Sequence, residues 1–425
     1  MVGLPMEPNQ PTRPVTLGRP IDPSPGRREH SDSSVKRDTC LVCASPRVRP
    51  LLDLAAVPLQ STALFPSAEA GRAAPSGRLR LVGCDRCSAV SNAAFVADSV
   101  PYESSYENSQ LFSPRFRAFA EQLSDDLVGR FELEGGHVVE VGCGKGEFLA
   151  LLCTRGSLRG TGFDPTYDGE SDASTGAARL QILPTWFDEH AGSDPADLVC
   201  CRHVLEHIAD PVAFLRSIRR PMRPDTVLYL EVPNAAFTFT EAGLWDLIYQ
   251  HCIYFTADAL TAAVRSAGFD ILQQRSVFDG QFLAVEAIAT SRPDEERDVE
   301  PVVDADATVD RLAEQAVRFT RVVDEWRSRL ADWHGASKRV ALWGAGAKGV
   351  SFLNVVSPDD EVGVVVDMNV RKQGRHLAGT GHLVEQPDVL RRYEPEVVVV
   401  ANKAYESEIC ASLAALGLGP VIASL

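Results

Sequence analysis

The chain has 425 residues with 45% hydrophobic and 24% charged side chains, ordinary values for a soluble protein, and it is too long for one hydrophobic core. Its net charge of −16, from 42 basic and 58 acidic residues, argues against nucleic acid or an anionic membrane as partner, and no apolar stretch has the length of a membrane span. A small-molecule partner fits this balance.

Residues 1–38 are rich in Pro, Arg and Ser and lack the apolar core of a secretory signal, so they read as a disordered tail. Ten cysteines follow, four in two CxxC pairs and the rest in apolar runs, which points to a metal site plus buried thiols in a reducing compartment, the cytoplasm. Cys40, Cys43, Cys84 and Cys87 supply four thiolates, the ligand set of a closed tetrahedral zinc site; with no open position, such a zinc is structural. Two local disulfides or four free thiols are the alternatives. The loop-rich stretch between the pairs, with Pro58, Pro66, Gly71 and Pro75, suggests a small zinc-binding domain over residues 39–100 that needs a staple.

From residue 101 the texture changes. SPRFRAFAEQLSDDLVGRF has helical spacing behind Ser113 and Pro114. HVVEVGCGKGEFLALLC, LRGTGFDP, ADLVCCRHVLEHI, DPVAFLRSIRR and TVLYLEVPN then alternate strands with helices, the pattern of a mostly parallel sheet covered on both faces, over residues 101–295. Asp210 and Pro211 open one helix; Gly268 stops the helix that starts after Thr256. Residues 291–307 are acidic and aperiodic and read as a linker, followed by an amphipathic helix to about Trp333. RVALWGAGAKGVSFL, EVGVVVDMN and PEVVVVAN then give a second, smaller α/β unit, so that residues 296–425 hold the linker helix and a C-terminal Rossmann-like domain.

The strongest motif is VVEVGCGKGEFLALL. Glu140 ends a buried strand, Gly142, Cys143, Gly144 and Gly146 form a turn, and Phe148 lies in the helix that follows. Glycines there permit a tight turn and let a ligand approach backbone N–H groups at a helix N-terminus. Asp164 and Pro165 end the next strand, where an acid can accept both hydroxyls of a ribose. The order E-x-G-x-G-x-G differs from the GxGxxG of a pyrophosphate site and is the pattern of class I methyltransferases, which makes S-adenosylmethionine (SAM) the expected cofactor. Another nucleotide or a purely structural turn is the alternative. Arg202 and His203 end a later strand at the carboxyl edge of the sheet and face the same pocket, with His203 expected to contact SAM or substrate. Glu206 and His207 read equally well as loop caps. By periodicity, WDLIYQHCIYFTADAL is an aromatic-rich helix start.

With the CxxC pairs ahead of it, that last run resembles the SAM-dependent sugar C-methyltransferases, whose chains join an N-terminal zinc-binding domain, a class I methyltransferase domain and a C-terminal Rossmann-like C-methyltransferase domain. The resemblance extends from about Cys40 to the C-terminus. In the family an H-E-H-x-x-Y-F or Y-E-H-x-x-Y-F run holds the catalytic Glu and His. Here Tyr249, Gln250, His251, Tyr254 and Phe255 match it, with glutamine where glutamate is expected. The resemblance implies His251 as base, with Tyr249, Tyr102 or Tyr106 as donors to a developing oxyanion; the last two lie in YESSYENSQLFSPRF, which is similar to the family's tyrosine-bearing segment. It also implies that the C-terminal domain, through GAGAKGVSFL and DMNVRKQGRHLAGTGHLV, helps hold a nucleotide sugar, making Lys348, Asn369, Lys372 and Arg375, together with Tyr254, the substrate-binding candidates.

The implied activity is methyl transfer to a carbon beside a carbonyl in a small nucleotide-linked sugar or natural-product intermediate. Gln250 raises O- or N-methylation as an alternative. Two readings come from other classes. An NAD-dependent oxidoreductase would use Gly344, Gly346 and Gly349 with Asp367 on the ribose, a spacing closer to the dinucleotide pattern. A zinc-dependent binding module would have no catalysis.

Overall fold

Three large sheets organise the chain in the computed structural model, which describes residues 15–17, 39–100, 107–169, 179–187, 195–240, 243–290, 298–356 and 361–425. Of the expected N-terminal tail only Val15–Leu17 is described, as a strand parallel to Val48–Pro58; the remainder, like Tyr102 and Tyr106, lies outside the described residues.

The central sheet runs in the order Phe269–Val277, Phe282–Ala289, Val227–Pro233, Leu198–Arg202, His137–Val141, Arg159–Phe163 and Arg179–Leu183. The five strands from Val227–Pro233 onward are parallel, and Phe282–Ala289 joins them antiparallel at one side. His137–Val141 is buried at every position, as a strand covered on both faces must be. Successive residues feed opposite cores: Val139, Val141 and Cys201 pack on one face, Val138, Leu198 and Cys200 on the other.

Local chemistry sets the helix ends. Ser113 accepts a hydrogen bond from the Phe116 N–H ahead of Pro114–Arg130, Asp210 does the same for Ala213 ahead of Pro211–Arg219, and Thr256 for Ala259 ahead of Ala257–Ser266. Gly268, at φ 88°, lets the chain leave that last helix in the left-handed region.

The run from Trp245 to Phe255 is not a helix start. A single 3-10 turn, Leu244–Asp246, gives way to extended chain, and Ile253–Tyr254 pairs antiparallel with Val90–Asn92. Aromatic spacing misled here because the partner strand is remote in sequence, and its hydrogen bonds outweigh local preference. The N-terminal sheet therefore has the order Val15–Leu17, Val48–Pro58, Ser76–Cys84, Val90–Asn92, Ile253–Tyr254, and takes strands from outside residues 39–100.

The amphipathic helix Ala305–Gly335 buries Val309, Leu312, Ala316, Phe319, Val323, Trp326 and Leu330, a strict three-four spacing that gives one apolar stripe. Along that stripe Phe319 meets Phe239 of the central unit and Trp326 meets Phe352 of the C-terminal unit, at ring separations of 5.5 and 5.2 Å. The C-terminal sheet is wholly parallel, in the order Val384–Glu385, Val364–Val366, Val340–Trp343, Val397–Val400, Val421–Ser424. A two-stranded ribbon, Leu64–Phe65 with His376–Leu377, ties the N-terminal and C-terminal units together. No helix among the described residues is long and apolar enough to cross a membrane.

Candidate active site

The carboxyl ends of the central strands and the glycine-rich turn of the C-terminal sheet open on one cavity of about 970 Å³. On the central side, Gly142, Gly144 and Gly146 have φ of 70°, 55° and 75°, a conformation other residues resist. Their roles separate on adding a methyl group: at Gly142 a Cβ would sit 2.2 Å from Val204 Cγ2, whereas at Gly144 it would meet nothing within 4 Å. Gly142 is required by packing, and Gly144 leaves room for a ligand. Asp164 braces this turn, one oxygen accepting the Gly144 N–H at 2.7 Å and the other the N–H and Oγ of Thr166 at 2.8 and 2.6 Å. Cys143, Phe148 and Pro165 line the same wall. The open turn, the helix N-terminus behind it and the acid at the next strand end fit SAM.

Beside the turn lies a buried charge network. Arg202 donates to Glu231 at 2.9 Å and lies 4.1 Å above the Phe148 ring. Burial pushes Glu231 up, but Arg202 and His203 outweigh it and hold the carboxyl at about 2. His203 has φ 54°, its Nε2 3.0 Å from Glu231 and its Nδ1 3.6 Å from Glu206. Burial opposes its charge, yet the two carboxylates raise it to about 9, so at neutral pH it is a cation on the cavity wall. Glu140 differs: burial dominates and pushes it up to about 8.

Glu206, His207 and His251 also converge on the cavity, their ligand-type atoms within 4.8 Å of one another. His207 Nδ1 is 3.0 Å from the Gln250 carbonyl, and the His207 and His251 rings meet edge to face at 4.9 Å. His251 Nε2 is 4.0 Å from Glu206 Oε1, and its Nδ1 has no hydrogen-bond partner among the described residues. Burial, then His207, lowers His251 to about 3 against the pull of Glu206, so its imidazole is neutral.

Its neighbours in the run are turned elsewhere. Gln250 is fully buried off the cavity, its amide oxygen accepting from the N–H and Oγ of Ser61, both at 3.1 Å. The Tyr249 hydroxyl accepts the Val96 N–H at 3.0 Å, and the Tyr254 hydroxyl donates to the Ile248 carbonyl at 2.8 Å. Both hydroxyls are thus occupied by backbone, and neither residue lines the cavity, a departure from the expected oxyanion and substrate contacts.

On the C-terminal side Gly344, Gly346 and Gly349 face the cavity, and a Cβ at Gly349 would lie 2.0 Å from the Gly344 carbonyl. Asp367 repeats the bracing of Asp164: it accepts the Ala345 N–H and the Asn369 N–H, both at 2.8 Å. Here Lys372 Nζ also approaches, 3.5 Å from Asp367 and 3.3 Å from the Ala345 carbonyl. A lysine so placed pairs the acid that an NAD ribose would need and offers a cation instead. Lys348 lines the cavity paired with Asp246 at 2.7 Å, and Asn369 lines it while donating to Glu107 at 2.9 Å. Arg375 is exposed and away from it; Arg371 takes its place, 2.9 Å from Glu147 and 3.7 Å from Glu107. Sequence reasoning passed over Arg371, although it stands beside Lys372 in a basic run. Glu107 had no local signal.

The four cysteines of the CxxC pairs form a separate cluster. Cys40 and Cys87 sulfurs lie 3.6 Å apart and those of Cys43 and Cys84 3.5 Å. Disulfides need about 2.05 Å, whereas a tetrahedral zinc with bonds of about 2.3 Å separates its sulfurs by roughly 3.8 Å. The Val42 and Arg86 N–H groups approach the Cys40 and Cys84 sulfurs at 3.4 Å, supporting thiolate charge. The set fits one structural zinc ion.

Comparison with known families agrees with this geometry. Residues 113–274 match the model of a methyltransferase domain, and residues 291–418 match that of a C-methyltransferase C-terminal domain. The chain thus carries a methyltransferase domain followed by a C-methyltransferase C-terminal domain. The curated relatives include ubiquinone biosynthesis O-methyltransferases from Aeromonas salmonicida (strain A449), 31% identical over 26% of this chain and 48% of the relative, and from Neisseria meningitidis serogroup C (strain 053442), 26% identical over 26% and 49%. The chain thus spans about half the length of the curated relatives it matches. Among solved structures, mitomycin 7-O-methyltransferase is 24% identical, with 41% of this chain and 53% of that one covered at a TM-score of 0.35. A SAM-dependent methyltransferase from Aquifex aeolicus is 17% identical, with 43% and 96% covered at 0.35.

Proposed function

We propose that this methyltransferase acts on a carbon beside a carbonyl in a small nucleotide-linked sugar or related natural-product intermediate, with structural zinc at Cys40, Cys43, Cys84 and Cys87. The observation that carries this reading is the single cavity onto which both glycine-rich turns open, one suited to SAM and the other, with Lys372 over it, to a phosphate-bearing second ligand. The match of residues 291–418 to a C-methyltransferase C-terminal domain supports carbon as the acceptor.

SAM supplies an electrophilic methyl group when bound. Asp164 would accept from its ribose, Gly144 leaves the approach open, and Lys372 and Asn369, on the opposite wall, would meet the phosphates of the second ligand. His251 takes the proton from the substrate carbon, and Tyr102 and Tyr106 are the proposed donors to the resulting oxyanion. O-methylation is the second reading, favoured by the names of the curated relatives. Incubation with a panel of nucleotide-linked ketosugars and methyl-labelled SAM, followed by mass spectrometry, decides between them: label on carbon with deuterium exchange beside the carbonyl supports the proposal, label on oxygen replaces it, and no transfer removes both.

Two binding results follow. Replacing Asp164 by Ala weakens SAM by about 1.5–3 kcal/mol, the worth of hydrogen bonds to a charged group; an unchanged calorimetric Kd would move the ribose elsewhere. Because burial holds Glu140 near 8 against an ordinary 4.5, a cationic ligand beside it favours the ionised form, so SAM binding releases a proton between those pH values. At pH 7 the apparent binding enthalpy then differs between buffers of different ionisation heat. Identical enthalpies would mean that Glu140 keeps its proton.

A further inference from the structure

We infer that Glu206 is a positioning carboxylate for the proposed base: it holds His251 as the Nε2–H tautomer and so presents the Nδ1 lone pair to the substrate. This rests on the proton-abstraction reading above. Glu206 is 1% exposed, borders the cavity, and has no hydrogen-bond partner on either oxygen among the described residues. The His203 imidazolium balances its charge, yet a buried carboxylate that still lacks a close donor gains from a partner that approaches in the working state. Ring nitrogens face it from two sides, His203 Nδ1 at 3.6 Å and His251 Nε2 at 4.0 Å, with His207 in the same cluster.

The other candidate for this task is ruled out by where it points. Gln250 carries no charge, its amide oxygen is committed to Ser61, and it does not reach the cavity. The groups acting on His251 are Glu206, His207 and His203, with the Tyr254 ring 5.8 Å away, and Glu206 is the anion among them. His207 is fixed through Nδ1 on the Gln250 carbonyl, which places its own lone pair on Nε2. His251 is thereby offered a carboxylate on the Nε2 side, while Nδ1 is buried with no hydrogen-bond partner among the described residues. Contacts of this kind are often loose without ligand and tighten when the reacting complex forms.

In the step so organised, the proton of the substrate C–H passes to Nδ1 of His251. The electron pair of that bond takes the methyl group, and the C–S pair stays on sulfur as a neutral thioether. The imidazolium left behind lies against Glu206, which stabilises it as the acid of a catalytic triad stabilises its histidine.

The test uses the full chain labelled with 15N histidine, the His251 signals being identified by their loss in H251A. Wild type shows the Nε2–H tautomer, and E206Q a mixture. With a methyl acceptor, E206Q turns over roughly 10- to 100-fold more slowly, as expected on losing a charged hydrogen-bond partner. Its SAM affinity is unchanged, and the acidic limb of its kcat profile lies at lower pH because the imidazolium has lost its counter-charge. E206D restores part of the rate; Q250E in the E206Q background does not, since that side chain faces Ser61. Should E206Q fail to bind SAM, E206D carries the same tautomer measurement. Wild-type tautomer and turnover in E206Q overturn the inference. So does a second divalent metal equivalent that E206Q loses, which would assign Glu206, His207 and His251 to a cation. The tautomer needs no acceptor, so its failure is separable from failure of the methyl-transfer reading, which shows as absent label transfer by wild type.

Discussion

Replacing His251 by Ala lowers turnover by roughly 10²–10⁴-fold, the contribution of a positioned general base, and leaves SAM bound as before. His251 stands on the cavity wall, whereas its sequence neighbours Tyr249 and Gln250 are committed to Val96 and Ser61. Burial and His207 hold its imidazole near 3, so it is already in the proton-accepting form throughout the physiological range. A lowered pKa also weakens the base, and the approach of Glu206 offsets this as the imidazolium forms. Single-turnover rates with saturating SAM isolate the effect from binding. Near-normal turnover of H251A would mean that the proton leaves by another route, or that no proton need leave.

Stripping the metal from the Cys40, Cys43, Cys84 and Cys87 cluster unfolds the N-terminal sheet and abolishes activity with it. Structural zinc contributes apparent binding free energies of about 10–16 kcal/mol in small domains, and such a site scarcely exists in the unfolded chain, so binding and folding are one equilibrium. The loss should spread. Val90–Asn92, only a few residues after Cys87, pairs with Ile253–Tyr254, and Ser61 holds Gln250, so the loop carrying His251 is anchored on the sheet that a metal at the four cysteines would stabilise. Metal analysis of washed protein should give one zinc per chain, and chelator should lower the melting temperature and eliminate methyl transfer together. Well under one zinc per chain, or an unchanged melting curve, would defeat this.

Where the candidate sites are local in sequence, their geometry was legible. The turn at Gly142, Gly144 and Gly146, the strand-end acid at Asp164 and the two CxxC pairs each carry their geometry in adjacent residues, and the structure brings each set together. The caps at Ser113, Asp210 and Thr256 were legible for the same reason. What failed depends on remote partners. The run around Tyr249 looks helical until Val90–Asn92 is available to pair with it, and its tyrosines point at backbone that no spacing rule could supply. Glu206 sits in a segment that serves equally as a loop cap, and only three-dimensional proximity to His203 and His251 separates the two roles. Glu107 enters through Asn369 and Arg371, far along the chain.

The ribbon between Leu64–Phe65 and His376–Leu377 bears on how the molecule is made. A chain emerging from the ribosome presents its cysteine pairs early, and they can capture metal at once. The edge at Leu64 and Phe65 must then wait for more than three hundred further residues before its partner appears, and Val90–Asn92 waits about half as long for Ile253–Tyr254. Contacts this distant in sequence close late and slowly. The cavity, walled by all three units, is therefore completed last, and a nascent chain that already holds SAM still lacks the wall on which the second ligand would rest.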